Sequence, residues 1–233
     1  MTVHNIVAIH QPNFFPWLGY FNKIARADVF IVLDDIQHTK TGGNWSNRVK
    51  LFVSAEPRWV TAPIKRPVHG TMALNEAEWA NQPWREKLLK TLATNYQRAP
   101  FFDEAMQLLR PLIVNPAPKL ASYNLQAIRA IAVALGVCKE LVQASQFAVS
   151  SVSNQRLIDL TRAVGCTGYI AGGGAAGYQD EALFAQAGLT LKYQSFVHPV
   201  YSQAGAGEFT PGLSVIDALM HCGVSGTGQL ILS

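Results

Sequence analysis

Apolar and polar positions along the chain follow two periods in turn. Asn5 to Ile9 is a compact run with β-branched residues, bounded by Gln11-Pro12, and it predicts a buried strand. Past the turn, Leu18, Phe21, Ile24 and Ala25 recur at helical spacing, and Asp28 to Leu33 is a second compact apolar run ending in Asp34-Asp35. Strand, helix and strand in so short a span predict a right-handed parallel crossover. Ligands of open α/β sheets sit beyond the carboxyl ends of such strands. His10, Gln11, Asp34 and Asp35 all fall at that edge.

From Thr39 to Gly70 the pattern is irregular: Gly42-Gly43-Asn44 reads as a turn, Val49 to Val53 as a strand, and Arg58 to Ile64 as another closing on Pro63 and Pro67. A loop segment of this kind is suited to cover or line a site on a rigid sheet. Trp84, Leu88, Leu89, Leu92 and Tyr96 share one helix face, and Leu125, Ile128, Ile131 and Leu135 share another, which makes about 80–137 a mainly helical region with core-facing stripes. Ser153 or Asn154 is placed to cap a helix that stops at Gly165. Gly168 to Ala171 reads as a strand, Asp180 to Ala187 as a short helix, and Leu189 to Ser195 as a strand with alternating polarity. Ser214 with Asp217 three residues on has the pattern of a capping box. There is no internal repeat and no evident linker. The expectation is one α/β domain over residues 1–233, a mostly parallel sheet with flanking helices and an inserted helical region.

Composition narrows the function classes. Hydrophobic residues make up 49% of the 233 and charged residues 15%, which describes a chain with a substantial core. No apolar run approaches the ~20 residues of a membrane span, and the N-terminus lacks the marks of a signal peptide, so no membrane insertion and a cytoplasmic location are expected. The formal charge is +4, but the positive residues are dispersed apart from Lys65-Arg66 and Arg85 to Lys90. No basic stripe interleaved with aromatics is present, which points to a small anionic substrate rather than a nucleic acid polymer. Cys138, Cys166 and Cys222 are scattered and odd in number, as expected of small buried residues rather than a disulfide framework or metal clamp.

Several groups are candidates for chemistry. Gly172-Gly173-Gly174-Ala175-Ala176-Gly177 fits GxGxxG between a predicted strand and a helix, where freed backbone N–H groups can approach an anion. The dinucleotide version needs an acid at the end of the next strand, and Tyr193-Gln194-Ser195-Phe196 supplies none. Another anion or nucleotide, or a plain flexible turn, remain open. Asp34 and Asp35 can hold a cation, orient a substrate or act as a base, with only one of them facing a given site. His10 stands at the strand end, either as a catalyst or as a satisfied structural residue. Asn44, Asn47 and Arg48 lie in a glycine-containing loop beside Trp45, and Arg48 is suited to a bidentate anion contact or to solvent. His38, His69, His198 and His221 have no ligand spacing, so no metal site is expected. No GxSxG elbow is present.

These pieces occur in an order that resembles the WbqC-like protein family. The resemblance is carried by HQPNFFPWLGYFNKIARADVFIVLDDIQ, WSNRVKL, NYQRAPFFDE, SSVSNQRLIDLTRAVGCTGYIAGGG and GEFTPGLSVIDALMHCG, from about Ile6 to Gly223. It implies a place in bacterial surface-polysaccharide synthesis, including that of O-antigen, without fixing a reaction. The strand–turn–helix–strand start is also similar to that of nucleotidylyltransferases and pantothenate-synthetase-like ligases, which implies a Rossmann-like fold. Those enzymes carry HxGH at the helix start. The corresponding stretch here is Trp17-Leu18-Gly19-Tyr20, so either His10 and Lys23 have taken over charge stabilisation or adenylyl transfer has been lost.

Taken together, the expectation is a transferase or ligase acting on an activated sugar or acyl donor. His10 and Asp35 would be its catalytic residues, Gln11, Lys23, Asp34, Asn47 and Arg48 would bind substrate, and Gly172, Gly174 and Gly177 would cradle an anion. The alternative is a non-catalytic nucleotide- or sugar-binding module. The sequence names no cofactor and no oligomeric state.

Overall fold

A computed structural model describes residues 5–38, 45–65, 67, 70–81, 83–173, 179–204 and 207–232. The predicted crossover is present. Strand β1 (Ile6–His10) is followed by helix α1 (Leu18–Ala25) and strand β2 (Val29–Val32), and the two strands are parallel with His10 opposite Val32. Beyond β2 the chain builds a separate antiparallel hairpin, β3 (Arg48–Val53) and β4 (Glu56–Thr61). The helices α2 (Trp84–Tyr96), α3 (Phe102–Ile113) and α4 (Leu120–Ala134) come next. The sheet resumes with β5 (Glu140–Gln143), α5 (Ser153–Ala163), β6 (Gly168–Ala171), α6 (Glu181–Gln186) and β7 (Thr190–Tyr193), and the last element is α7 (Val215–Leu232).

Five strands form one wholly parallel sheet in the order β5-β2-β1-β6-β7. With helices on both faces this is an α/β fold of Rossmann-like type. The two-residue period of each strand assigns its side chains to two cores. Ala8, Phe30 and Val32 join α1, α7 and the helical region on one face, whereas Val7, Ile9, Val29 and Ile31 join α5 and α6 on the other. Such two-sided burial explains why β1 and β2 read as continuous apolar runs.

Several boundaries differ from expectation for local physical reasons. β4 begins at Glu56 rather than Arg58, because Ser54 and Ala55 both take positive φ (56° and 61°) and close a two-residue hairpin turn. Asn-Gly or Asp-Gly is the usual signature of that turn, and Ser-Ala does not announce it. Neither Ser153 nor Asn154 caps α5: the residue before the helix is Val152, with no side-chain cap. Asp180 does cap α6, accepting from the Leu183 N–H at 3.2 Å. The Gly42-Gly43-Asn44 turn lies outside the described residues.

The capping box at α7 forms only in part. Ser214 Oγ accepts from the Ile216 N–H (3.2 Å), but the Asp217 carboxylate does not reach back, and the Ser214 N–H donates to Lys50 O instead (3.0 Å). Asp217, fully buried, accepts from Tyr96 OH (2.9 Å) and Tyr201 OH (2.8 Å), joining α2 and the strap after β7 to α7. Burial raises the Asp217 pKa. By length and composition α7 is apolar enough to cross a bilayer, a feature the sequence expectation did not include; here it packs on α1 and α3 with more than half of it buried.

α7 kinks at Gly223, whose φ of 67° and ψ of −179° belong to a region that is essentially glycine-only. A Cβ there would also lie 2.7 Å from the Phe101 ring. Gly223→Ala is therefore expected to destabilise the protein by about 2 kcal/mol or more, read as a lower midpoint in urea unfolding with an unchanged slope.

Candidate functional site

The chain departs from β1 in two directions. Through α1 it moves to β2 on one edge of β1, and through α5 it later returns to β6 on the other edge. At such a switch point the loops leaving two adjacent strands diverge and leave a crevice at the carboxyl edge. A cleft of about 460 Å³ opens there, lined by His10 and Ile9 of β1, by Trp17, Gly19, Tyr20 and Lys23, and by Tyr169, Gly172 and Gly173 at the end of β6. Gln194 and Phe196, just past β7, complete it.

His10 is half-buried, with its Nδ1 3.2 Å from Gln11 O. A carbonyl can only accept, so Nδ1 carries the proton and Nε2 keeps its lone pair. Desolvation, and then the charge of Lys23, lower its pKa to about 3, so the ring is neutral at pH 7. Tyr20 stacks edge-on at 5.0 Å and donates its OH to the same Gln11 carbonyl at 3.1 Å. Gln11 thus contributes its backbone carbonyl to the order of the site.

Lys23 is only 2% exposed. Its Nζ donates to Ile9 O at 2.9 Å and lies 5.8 Å from the centre of the Tyr169 ring. Desolvation lowers its pKa to about 7, and no opposing charge offsets it.

The aromatic wall depends on Gly19. Trp17 folds back so closely that a Cβ at position 19 would lie 2.0 Å from its ring. So placed, Trp17 packs against Phe196 (5.4 Å) and His198 (5.0 Å). Gln194 fixes the opposite side by donating to Gly19 O (2.7 Å) and Asn22 Oδ1 (2.9 Å).

Of the sequence candidates, then, His10, Lys23 and Gly172 line this cleft, and Gln11 borders it through its backbone carbonyl. Gly174 and Gly177 lie outside the described residues. Asp34, 1% exposed, accepts from Gln143 Nε2 (2.8 Å), Ser145 N (3.0 Å) and Ser145 Oγ (2.6 Å), a clamp between the ends of β2 and β5. Asp35 pairs with Arg156 of α5 at 2.6 Å and keeps Oδ1 unpartnered. The two aspartates, both past the end of β2 at Val32, therefore face different partners. Asn47 bonds Ala62 O across the hairpin (3.0 Å), and the Arg48 guanidinium stacks on Trp59 at 4.4 Å. None of these four side chains lines the cleft. Among the described residues no group of acids, histidines and cysteines is arranged to hold a metal ion.

Tyr169, Gln194 and Phe196 were not singled out in the sequence. Their signal was weak: each is one position in or beside a predicted strand, and a strand pattern does not say which strand ends meet.

The fold and this cleft define a class, an α/β protein with a crevice at the switch point of a parallel sheet. Within that class the chain belongs to the WbqC-like protein family, whose model matches residues 11–228. It is also 29% identical over 232 residues to a Mycobacterium tuberculosis protein described as the uncharacterized protein Rv1507c, covering 96% of each chain. No solved structure gives a significant match.

Two outcomes follow. Unfolded Lys23 would hold its proton up to about pH 10.5, whereas the folded side chain releases it near 7, so burial penalises the fold increasingly as pH falls between those values. Lys23→Met is expected to raise stability by about 1–3 kcal/mol at pH 7, with the gain vanishing towards pH 10.5, read by denaturant unfolding at several pH values. Asp34→Ala leaves its donors unpaired and is expected to cost about 3 kcal/mol in the same assay.

Proposed function

We propose that the protein is a biosynthetic transferase or ligase acting on an activated sugar or acyl donor, and that it works in the cytoplasm on surface-polysaccharide precursors. The observation that carries this reading is the pairing, at the switch-point crevice, of a neutral imidazole with an open Nε2 and a buried amine. His10 Nε2 accepts the hydrogen bond of an attacking hydroxyl or amine and draws off its proton, and Lys23 with the Gly172-Gly173 backbone stabilises negative charge on the group transferred or released. Burial first and the charge of Lys23 second make this imidazole, with a pKa of about 3, a weak base; a bound anion beside Lys23 offsets the second of these and strengthens it. Asp35 keeps one unpartnered oxygen but stands outside the cleft, so it takes part in proton transfer only with a substrate that extends past the cleft. Membership of the WbqC-like family supports the biosynthetic setting.

The second reading, a non-catalytic nucleotide- or sugar-binding module, has its own support. Trp17 and Tyr20 line the cleft where nucleotidylyltransferases would carry histidines, and aromatic walls suit binding as well as they suit catalysis.

Thermal-shift screening of nucleotides, nucleotide sugars and acyl donors, followed by product analysis of each ligand found, separates the two. Conversion is expected, with His10→Gln lowering kcat by about 100-fold or more and leaving the unfolding midpoint near that of the wild type. Binding without conversion of any ligand favours the module. Unchanged turnover in both His10→Gln and Asp35→Asn would sink the catalytic assignment.

A further inference from the structure

A buried ammonium normally has a carboxylate beside it, because an unpaired charge in a low-dielectric interior is costly. Lys23 has none. All 15 Asp and Glu side chains of the chain lie among the described residues, and none is paired with its Nζ. One of its three donor positions is taken by Ile9 O, and Tyr169 offers the face of its ring. The titratable groups that line the cleft with Lys23 are His10 from β1, Tyr20 from its own helix and Tyr169 from β6. Burial raises the pKa of both phenols, so both stay protonated, and His10 is neutral: no group there carries negative charge. Gly172 and Gly173 bring backbone without side chains to the same opening.

We propose that Lys23 is the anchor for an anionic group of the ligand, a phosphoryl or a carboxylate, and that the ligand supplies the counter-charge the fold withholds, one proton entering the cleft as the anion binds. This rests on the reading of the cleft as the substrate site and assigns the charge of the substrate and the way binding responds to pH. The balance is simple. The neutral amine of Lys23 takes a proton from solvent, and the resulting ammonium pairs with the anion. Above the free-state pKa of about 7 that proton must be acquired on binding; below it, the amine already holds it.

Two probes of constant charge between pH 6 and 9 test the proposal: inorganic sulfate as the stand-in for a phosphoryl group, and acetate for a carboxylate. Calorimetric titration in buffers of different ionisation enthalpy is expected to show uptake of about one proton at pH 8 and little at pH 6. Affinity should fall by about tenfold per pH unit above 7 and level off below it. The preferred probe identifies the anion. Lys23→Met should bind neither probe detectably at pH 6. Lys23→Arg, where it folds, should bind with no proton uptake and a flat pH dependence, since a guanidinium stays charged throughout.

Binding or proton uptake by Lys23→Met at the wild-type level overturns the proposal. So does the absence of saturable binding of both probes to the wild type at pH 6. His10→Gln keeps the two questions apart. Normal proton-linked binding by a protein that retains full turnover defeats the catalytic role of His10 and supports the anchor, whereas lost turnover with pH-independent binding does the reverse.

Discussion

Strand β1 is hydrogen-bonded on both of its edges, to β2 from Val7 to His10 and to β6 from Ile6 to Ala8. Its last bond on the β2 side runs from the Leu33 N–H to His10 O at 2.8 Å. Beyond that point the two neighbouring strands lead their chains away in opposite directions, so the backbone that follows β1 and β6 cannot close over the sheet edge. Everything that lines the cleft is placed by this constraint. His10 is the last paired residue of β1, Gly172 follows the last residue of β6, and the side chains of Tyr20 and Lys23 reach the opening from the helix that β1 itself feeds. Gln194 then links the exit of β7 to that helix through Gly19 and Asn22, so the outermost strand of this half of the sheet is also tied to the site.

The buried charges of the molecule separate into two kinds. Asp34 is surrounded by three donors and Asp217 by two tyrosines, arrangements in which the desolvated carboxylate is met with hydrogen bonds and serves to join elements distant in sequence. Lys23 is held by one carbonyl and the face of a ring, with no opposing charge. A satisfied buried charge stabilises a particular arrangement of the chain, while an unsatisfied one weakens it and persists where a ligand completes it. On that physical ground Lys23, unlike Asp34 and Asp217, is a buried charge that the fold leaves without a counter-charge.

The aspartates show how far sequence pattern carries. Asp34-Asp35 at the end of an apolar run marked the carboxyl edge of β2, but the strand ends at Val32, so strand alternation does not govern where the two side chains go. Which neighbours they would meet depended on β5 and on the start of α5, both more than a hundred residues away. The Ser214–Asp217 spacing was legible as a helix start, and the serine does accept the bond expected of it. The carboxylate was drawn instead to Tyr96 and Tyr201, because a site that is fully buried and offers two phenol donors outcompetes a local backbone N–H. Arg48 and Asn47 read as ligand groups in a loop; hairpin pairing turned them to Trp59 and Ala62.

By itself the sequence determined the crossover of β1, α1 and β2, the helical stripes of the middle region, the position of His10 at a strand end and the family of the chain. All of these rest on local periodicity or on short stretches read in order. Only the tertiary structure decided that β6 returns to the far edge of β1, that Trp17 lies over Gly19, and that no Asp or Glu side chain pairs with Lys23. The reason is that periodicity reports which face of an element is buried, whereas the partner on that face is set by the order of strands in the sheet. That order is fixed by packing between segments far apart in the chain.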